Sequence, residues 1–264
     1  MKYNDLDLKN WKKIDINVDS LWIIGSRDKS GKHANVYHGN FIPQIPNQLI
    51  RRYTKKGEII LDPFMGSGTT LFVCENLNRK FIGFDINSEM IDYVKKQMTN
   101  SSFKDYFIEE CDVTNSIAFQ SLIEQSLKQL GNKKVQFVII HPPYMDVVKF
   151  TDKKNDLSQI SNLSEFIKKF TIVIENTLQF LEKSRYFAIV IGDIYKNSEV
   201  IPLGFFVLNT IKQNFKTKLK GIIVKNIAGN RGKLGKVGIW KYRALKSDYY
   251  IFKHEYILVF KKEF

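Results

Sequence analysis

A chain of 264 residues with 41 lysines and arginines against 27 acids has a formal charge of +14, an excess that points to a polyanionic partner. Its 44% hydrophobic and 26% charged residues suit one sizeable α/β domain with a buried core, and no apolar run approaches the roughly 20 residues of a membrane span. With only Cys74 and Cys111 and four histidines, neither a disulfide framework nor a metal site is supported; a reducing cytoplasm fits, and Met1 to Asp5 lacks the pattern of an export leader.

Residues 1–36 read as an N-terminal extension, with Leu21 to Ile24 a short strand and Gly25 to His33 a polar loop. Tyr37 to Pro46 approaches a helix carrying Leu49, Ile50 and Tyr53. Next, Ile59-Ile60-Leu61 has the length of a buried strand, which Asp62-Pro63-Phe64 ends abruptly. The Gly66-Ser67-Gly68 turn lets the backbone come close to a ligand, and Thr69-Thr70 can cap a helix through Leu71, Val73, Cys74 and Leu77. Lys80 to Ile86 is the next strand. It ends in Asp85, about 20 residues after Gly66, the spacing at which a carboxylate holds a ribose hydroxyl pair.

Ser88 can cap a helix through Met90, Ile91, Val94 and Met98, and a third strand from Phe103 puts Asp112 at its carboxyl end. A helix over 117–130 leads to the apolar strand Val135 to Ile140. His141-Pro142-Pro143-Tyr144 closes that strand, because two consecutive prolines cannot continue a ladder. Helices over 163–181 and 201–215 flank a strand at 186–191. This alternation predicts a parallel, doubly wound sheet. Strands at 219–224 and 255–260, with no helix between them, then predict an antiparallel closing pair joined by a long basic loop over 226–253. From Lys216 to Lys253 eleven basic residues face one acid, Asp248, with Trp240, Tyr242, Tyr249 and Tyr250 interleaved, a pattern that favours nucleic acid.

The D-P-F-M-G-S-G-T-T stretch from Asp62 to Thr70 and the strand-ending x-P-P-Y quartet together resemble the S-adenosylmethionine-dependent amino methyltransferases of DNA, over roughly residues 37 to 262. The resemblance implies a Rossmann-like, doubly wound, mostly parallel seven-stranded sheet with an antiparallel C-terminal strand pair. It implies a methyltransferase domain over 37–264, in the motif order called gamma, with 226–253 as target-recognition element. S-adenosyl-L-methionine is the cofactor it implies. By position, Asp62, Phe64, Gly66, Ser67, Gly68 and Thr69 then serve its methionine part, Asp85 and Ile86 its ribose, Asp112 its adenine, and Phe41 and Ile42 belong to a capping motif.

The quartet has a mechanism of its own. An exocyclic base nitrogen is a poor nucleophile because its lone pair is delocalised into the ring. Hydrogen-bond acceptors can draw it towards tetrahedral geometry: the Pro142 carbonyl and the His141 side chain would take the two amine hydrogens, while Tyr144, beyond Pro143, stacks on the flipped base. The family generally has Asp, Asn or Ser where this chain has His141. A neutral imidazole has one acceptor and an imidazolium none, so activity should fall in acid. Adenine N6 is preferred here over cytosine N4. Carbon-5 methylation is argued against, since neither cysteine follows a proline on a loop as a nucleophile would. Asp193 either lines the base pocket or caps a turn.

For the expected partner, double-stranded DNA, Arg231 and Arg243 are candidates to read guanine edges, Lys233, Lys236 and Lys241 to hold phosphates, and Trp240 to help fill the gap left by a flipped base. A cognate restriction endonuclease is a candidate partner and no membrane is expected. The alternative readings are an RNA or tRNA amino methyltransferase, and a non-catalytic nucleic-acid binder that retains the cofactor fold.

Overall fold

Strands that are apolar on both faces need cover on both faces, and the helices of this chain supply it. The computed structural model describes residues 3–33, 37, 39–228 and 237–263. In chain order the elements are β1 (Leu21–Trp22), α1 (Gln44–Tyr53), β2 (Ile59–Asp62), α2 (Thr69–Leu77), β3 (Lys80–Asp85), α3 (Ser88–Met98), β4 (Tyr106–Glu110), α4 (Ser116–Gln129) and β5 (Val135–Ile140). There follow α5 (Leu163–Phe180), β6 (Leu181–Ile191), β7 (Ile194–Lys196), β8 (Glu199–Ile201), α6 (Leu203–Asn214), β9 (Thr217–Asn226), α7 (Val237–Lys246) and β10 (His254–Lys262).

The main sheet runs β1-β9-β10-β6-β5-β2-β3-β4. Only β10 is antiparallel to its neighbours, lying between β9 and β6. Period-two alternation sends Ile59, Leu61, Val138 and Ile140 to one face, against Phe119 of α4, Phe166 and Phe170 of α5 and Val207 of α6. Ile60, Phe137 and Ile139 go to the other face, against Leu49 of α1, Leu71 of α2 and Val94 of α3. Because β2 pairs with β3 on one side and β5 on the other, the chain reverses its direction of winding there. In such sheets ligands bind at the carboxyl ends of the strands at that point.

The α/β fold expected from the sequence is borne out, with five local differences. β1 joins the sheet edge parallel to β9 and brings the strand count to eight; Trp22 is buried and its indole N–H donates to the Asp19 carbonyl at 3.0 Å. The sequence predicts the strand over Leu21 to Ile24, but two residues carry no pattern that would assign them to this sheet edge. Thr69 and Thr70 do not cap α2: its N-cap is Gly68 at φ 85°, while the Thr70 hydroxyl turns down to Asp62 at 2.6 Å. Likewise Asn87, rather than Ser88, caps α3, by accepting from the Glu89 N–H. Finally, the stretch read as a basic loop contains α7, since its glycines stop at Gly238 and a run without breakers follows. The hairpin of β7 and β8, turning through Asn197 and Ser198 at positive φ, has strands too short to signal themselves.

Candidate active site

A cavity of 550 Å³, within the usual range for small-molecule sites, opens where the parallel strands end. Phe64, Gly66, Asp85, Ile86 and Asp112 line one part of it, the whole quartet His141 to Tyr144 lines another, and Phe41 and Ile42 also contribute to its wall. Chain direction explains two further lining residues. β10 runs against the sheet, so its start lies at the same edge as the end of β9, and the ladder pairs Glu255 with Lys225. Their side chains form a buried ion pair, Nζ to Oε1 at 2.9 Å.

The glycine loop is held from beneath. Asp62 is 1% exposed and accepts from the Phe64 N–H at 3.1 Å and the Thr70 hydroxyl at 2.6 Å, so it shapes the loop without lining the cavity. Ser67, Gly68 and Thr69 also lie off the cavity wall. Asn40 donates to the Ser67 hydroxyl, and Arg27 reaches the Phe41 carbonyl at 2.8 Å and the Thr69 hydroxyl at 3.4 Å, strapping the capping segment to the loop. Gly66 sits at φ 52°, and a Cβ there would stand 3.2 Å from the Tyr37 ring. Its N–H donates to Asp85 Oδ2 at 2.7 Å, while the Asn87 N–H meets Oδ1 at 2.9 Å.

Burial sets the charges of the site. It pushes the Asp62 carboxyl up to about 7, against the pull of its Thr70 and Phe64 bonds. The same cause takes Asp85 up to about 6, opposed by the Asn87 and Gly66 N–H groups. His141 goes the other way, down to about 4, because desolvation disfavours its cation more than Glu255 favours it. At neutral pH the imidazole is therefore uncharged. Burial, and then the adjacent Asp112, push the Cys111 thiol up to about 12; it lines the cavity as a thiol, unsuited to nucleophilic attack.

Around the quartet, the Phe41 and His141 rings lie 5.1 Å apart, His141 Nε2 is 3.2 Å from the Tyr144 hydroxyl, and that hydroxyl donates to Glu255 Oε2 at 3.4 Å. Tyr144 packs against Gly192, where a Cβ would be 3.0 Å from its ring. Asp112 accepts both the N–H and the hydroxyl of Thr114 on Oδ1. Asp193 takes the turn reading: it accepts from the Gly204 N–H at 3.2 Å and the Tyr256 hydroxyl at 3.1 Å, and does not line the cavity. Of the expected DNA contacts, Trp240, Lys241 and Arg243 stand on α7 away from the cavity wall, with the Arg243 guanidinium 5.5 Å from the Trp240 ring centre. Arg231, Lys233 and Lys236 lie outside the described residues. Sequence reasoning missed Arg27, Lys225 and Glu255, since only the register of β9 and β10 and the fold of the polar loop bring them here.

Residues 1–96 match the N6/N4 methyltransferase family, described as DNA methylase. Over this segment the chain is similar to that family. The resemblance read from the Asp62 to Thr70 motif is thereby borne out, and the match extends through the N-terminal extension. Within the matched segment lie β1 to β3, the glycine loop and Asp85. The chain is 46% identical over 82 residues to the type II methyltransferase M.HpaI of Haemophilus parainfluenzae, covering 31% of this chain and 26% of that enzyme. It is 37% identical over 85 residues to M2.LlaDCHI of Lactococcus lactis subsp. cremoris, covering 32% of each. The match thus spans a third or less of the length of these curated relatives. The structure of TrmN from Thermus thermophilus superposes with a TM-score of 0.54 at 13% identity, over 85% of this chain and 50% of that one, a likeness of fold alone.

The donor set fits S-adenosylmethionine. Asp85 is a buried carboxyl facing the cavity with one backbone N–H on each oxygen, which leaves acceptor capacity for a pair of ribose hydroxyls. Arg27 offers a cation in the cavity wall for a carboxylate. Among the described residues no group of acids, histidines and cysteines could hold a metal ion, and no helix is long and apolar enough to cross a membrane.

Proposed function

We propose that this chain transfers a methyl group from S-adenosylmethionine to the exocyclic amine of a base flipped out of double-stranded DNA, with adenine N6 preferred over cytosine N4. The observation that carries the reading is one cavity shared by the acid-ended strands after the glycine loop and the His141-Pro142-Pro143-Tyr144 quartet. Residues 37–264 form the methyltransferase domain and 1–36 its N-terminal extension.

The cofactor supplies an electrophilic methyl on a sulfonium. Asp85 would accept the ribose hydroxyls and Asp112 the adenine amine, with Ile86 and Phe64 along the wall, Phe41 and Ile42 as cover, and Arg27 turned to the carboxylate. Asp62, Ser67, Gly68 and Thr69 act by holding the loop. On the other side the Pro142 carbonyl and the uncharged His141 draw the amine hydrogens and free the nitrogen lone pair, while Tyr144 stacks on the base. His141 offers an acceptor where adenine-directed relatives offer an acid. The rest is positioning, without a covalent enzyme intermediate. Trp240, Lys241 and Arg243 on α7, with Arg231, Lys233 and Lys236, form the target-recognition element.

The test is incubation with labelled S-adenosylmethionine and unmethylated DNA or total RNA, followed by nucleoside mass spectrometry. N6-methyladenine in DNA is expected. Label only in RNA, label at carbon 5 of cytosine, or no transfer at all would overturn the reading.

A further inference from the structure

The buried pair of Lys225 and Glu255 stands in the cavity wall, and the transfer chemistry just described leaves it without a task. Its position gives it one. Glu255 bridges two partners: Oε1 accepts from Lys225 Nζ at 2.9 Å and Oε2 accepts from the Tyr144 hydroxyl at 3.4 Å. The same hydroxyl oxygen lies 3.2 Å from His141 Nε2. Four residues from three separate strand ends thus form one unbranched chain of polar contacts that terminates on the imidazole.

The direction of the protons along this chain follows from its charged end. A carboxylate paired with a lysine accepts and cannot donate. Tyr144 has a single hydroxyl proton, and a charged acceptor competes for it better than a neutral imidazole nitrogen does. Were Tyr144 to donate to His141 instead, its oxygen would face Glu255 Oε2 lone pair to lone pair in a buried site. With the phenol proton committed to Glu255, the contact at 3.2 Å is a hydrogen bond only if Nε2 carries the imidazole proton. Nδ1 then keeps its lone pair. No described residue partners Nδ1, and it is not among the buried side-chain atoms left without a partner, in a residue that lines the cavity.

We propose that the Lys225–Glu255 ion pair, acting through Tyr144, is a positioning device that holds His141 in its Nε2–H form, so that Nδ1 is the acceptor presented to the target amine. The inference rests on the proposed function for the identity of the amine, and on geometry alone for the tautomer. Lys225 and Glu255 touch neither reacting group; they act through Tyr144 and His141. An acid at position 141 would need no such device, because both its oxygens accept. An imidazole does need one, since its wrong tautomer would point an N–H at an N–H.

The tautomer can be read without substrate. In two-bond proton–nitrogen correlation spectra of the full-length protein at neutral pH, the His141 ring, identified by the signals lost in His141→Gln, should show the Nε2–H pattern. Glu255→Gln places an amide that can donate to the Tyr144 oxygen, which turns the phenol proton to Nε2 and should move His141 to the Nδ1–H form. Its kcat should fall by about 10- to 100-fold, the usual cost of losing an outer partner that fixes a ring's tautomer, with affinity for S-adenosylhomocysteine unchanged within about twofold. Should that variant fold poorly, Tyr144→Phe keeps the ion pair and breaks the relay, and should leave His141 as a mixture of tautomers. An Nδ1–H pattern in the wild-type chain, or an unaltered Nε2–H pattern in both variants, would overturn the relay even while DNA is methylated. Absence of methyl transfer by the wild-type chain, read in the separate assay, would overturn the function and leave the tautomer spectrum to be judged alone.

Discussion

Asp85 meets the cavity with a carboxyl that burial raises to about 6 while two backbone N–H groups already hold it in place. Ribose hydroxyls donate to the ionised form, so cofactor binding should lower that pKa. Affinity for S-adenosylhomocysteine should therefore rise by about tenfold between about pH 5 and about pH 7.5. Calorimetry across that range checks it; Asp85→Asn should bind more weakly and lose the pH dependence, and a flat wild-type profile would refute the assignment. Gly192 is informative in another way. A methyl group there would stand 3.0 Å from the Tyr144 ring, so Gly192→Ala should displace the base-stacking residue. The expected signature is kcat lowered about tenfold or more with cofactor affinity retained. At this scale the sequence was most legible where a residue ends a strand: Asp85, Asp112 and the quartet all line the cavity as their positions implied. It was least legible for Asp62, whose carboxyl points into the loop, because a sequence motif marks a position and not the direction of a side chain.

Elements divide the same way. Long, largely apolar or strongly periodic segments such as β5 and α5 are readable from composition, since burial on both faces or on one stripe leaves a repeating trace. β1 shows itself only as the short apolar run Leu21 to Ile24, which does not reveal its place in the sheet, yet Trp22 within it is only 2% exposed. Trp22→Ala should cost about 3–5 kcal/mol in urea unfolding; a loss under about 1 kcal/mol would mean that the edge strand is dispensable. For α7, glycine content argued for loop and the structure has helix, with Lys241 and Arg243 exposed on it. If α7 contacts phosphates, Lys241→Ala and Arg243→Ala should each reduce the slope of log affinity against log salt by about one. An unchanged slope in the double variant would remove α7 from the interface.

Across the whole molecule, buried acids make stability depend on pH in an unusual direction. The folded chain holds a proton on Asp62 up to about 7, and on Asp85 up to about 6, that the unfolded chain releases near its ordinary 3.8. Their contribution is present below that value and is lost as pH rises through the folded pKa. His141, lowered to about 4 from 6.5, acts in the opposite sense, since the unfolded chain binds a proton there that the folded one refuses. His33, which burial also lowers, acts in the same sense as His141, and the two carboxyls outweigh the two imidazoles. The Tm of the protein without cofactor should fall between about pH 5 and about pH 7.5, and Asp62→Asn should remove most of that fall. A Tm that rises over this range would show that Asp62 is ionised in the folded state. By itself the sequence determined the winding of the sheet, the place of the glycine loop and the strand ends that carry chemistry, because periodicity and chain-breaking residues are local properties. Only the tertiary structure decided that Lys225 and Glu255 belong to the site, that Arg27 straps the capping segment to the loop, and that His141 stays uncharged. Each of these depends on burial and on strand register, which bring together residues far apart along the chain.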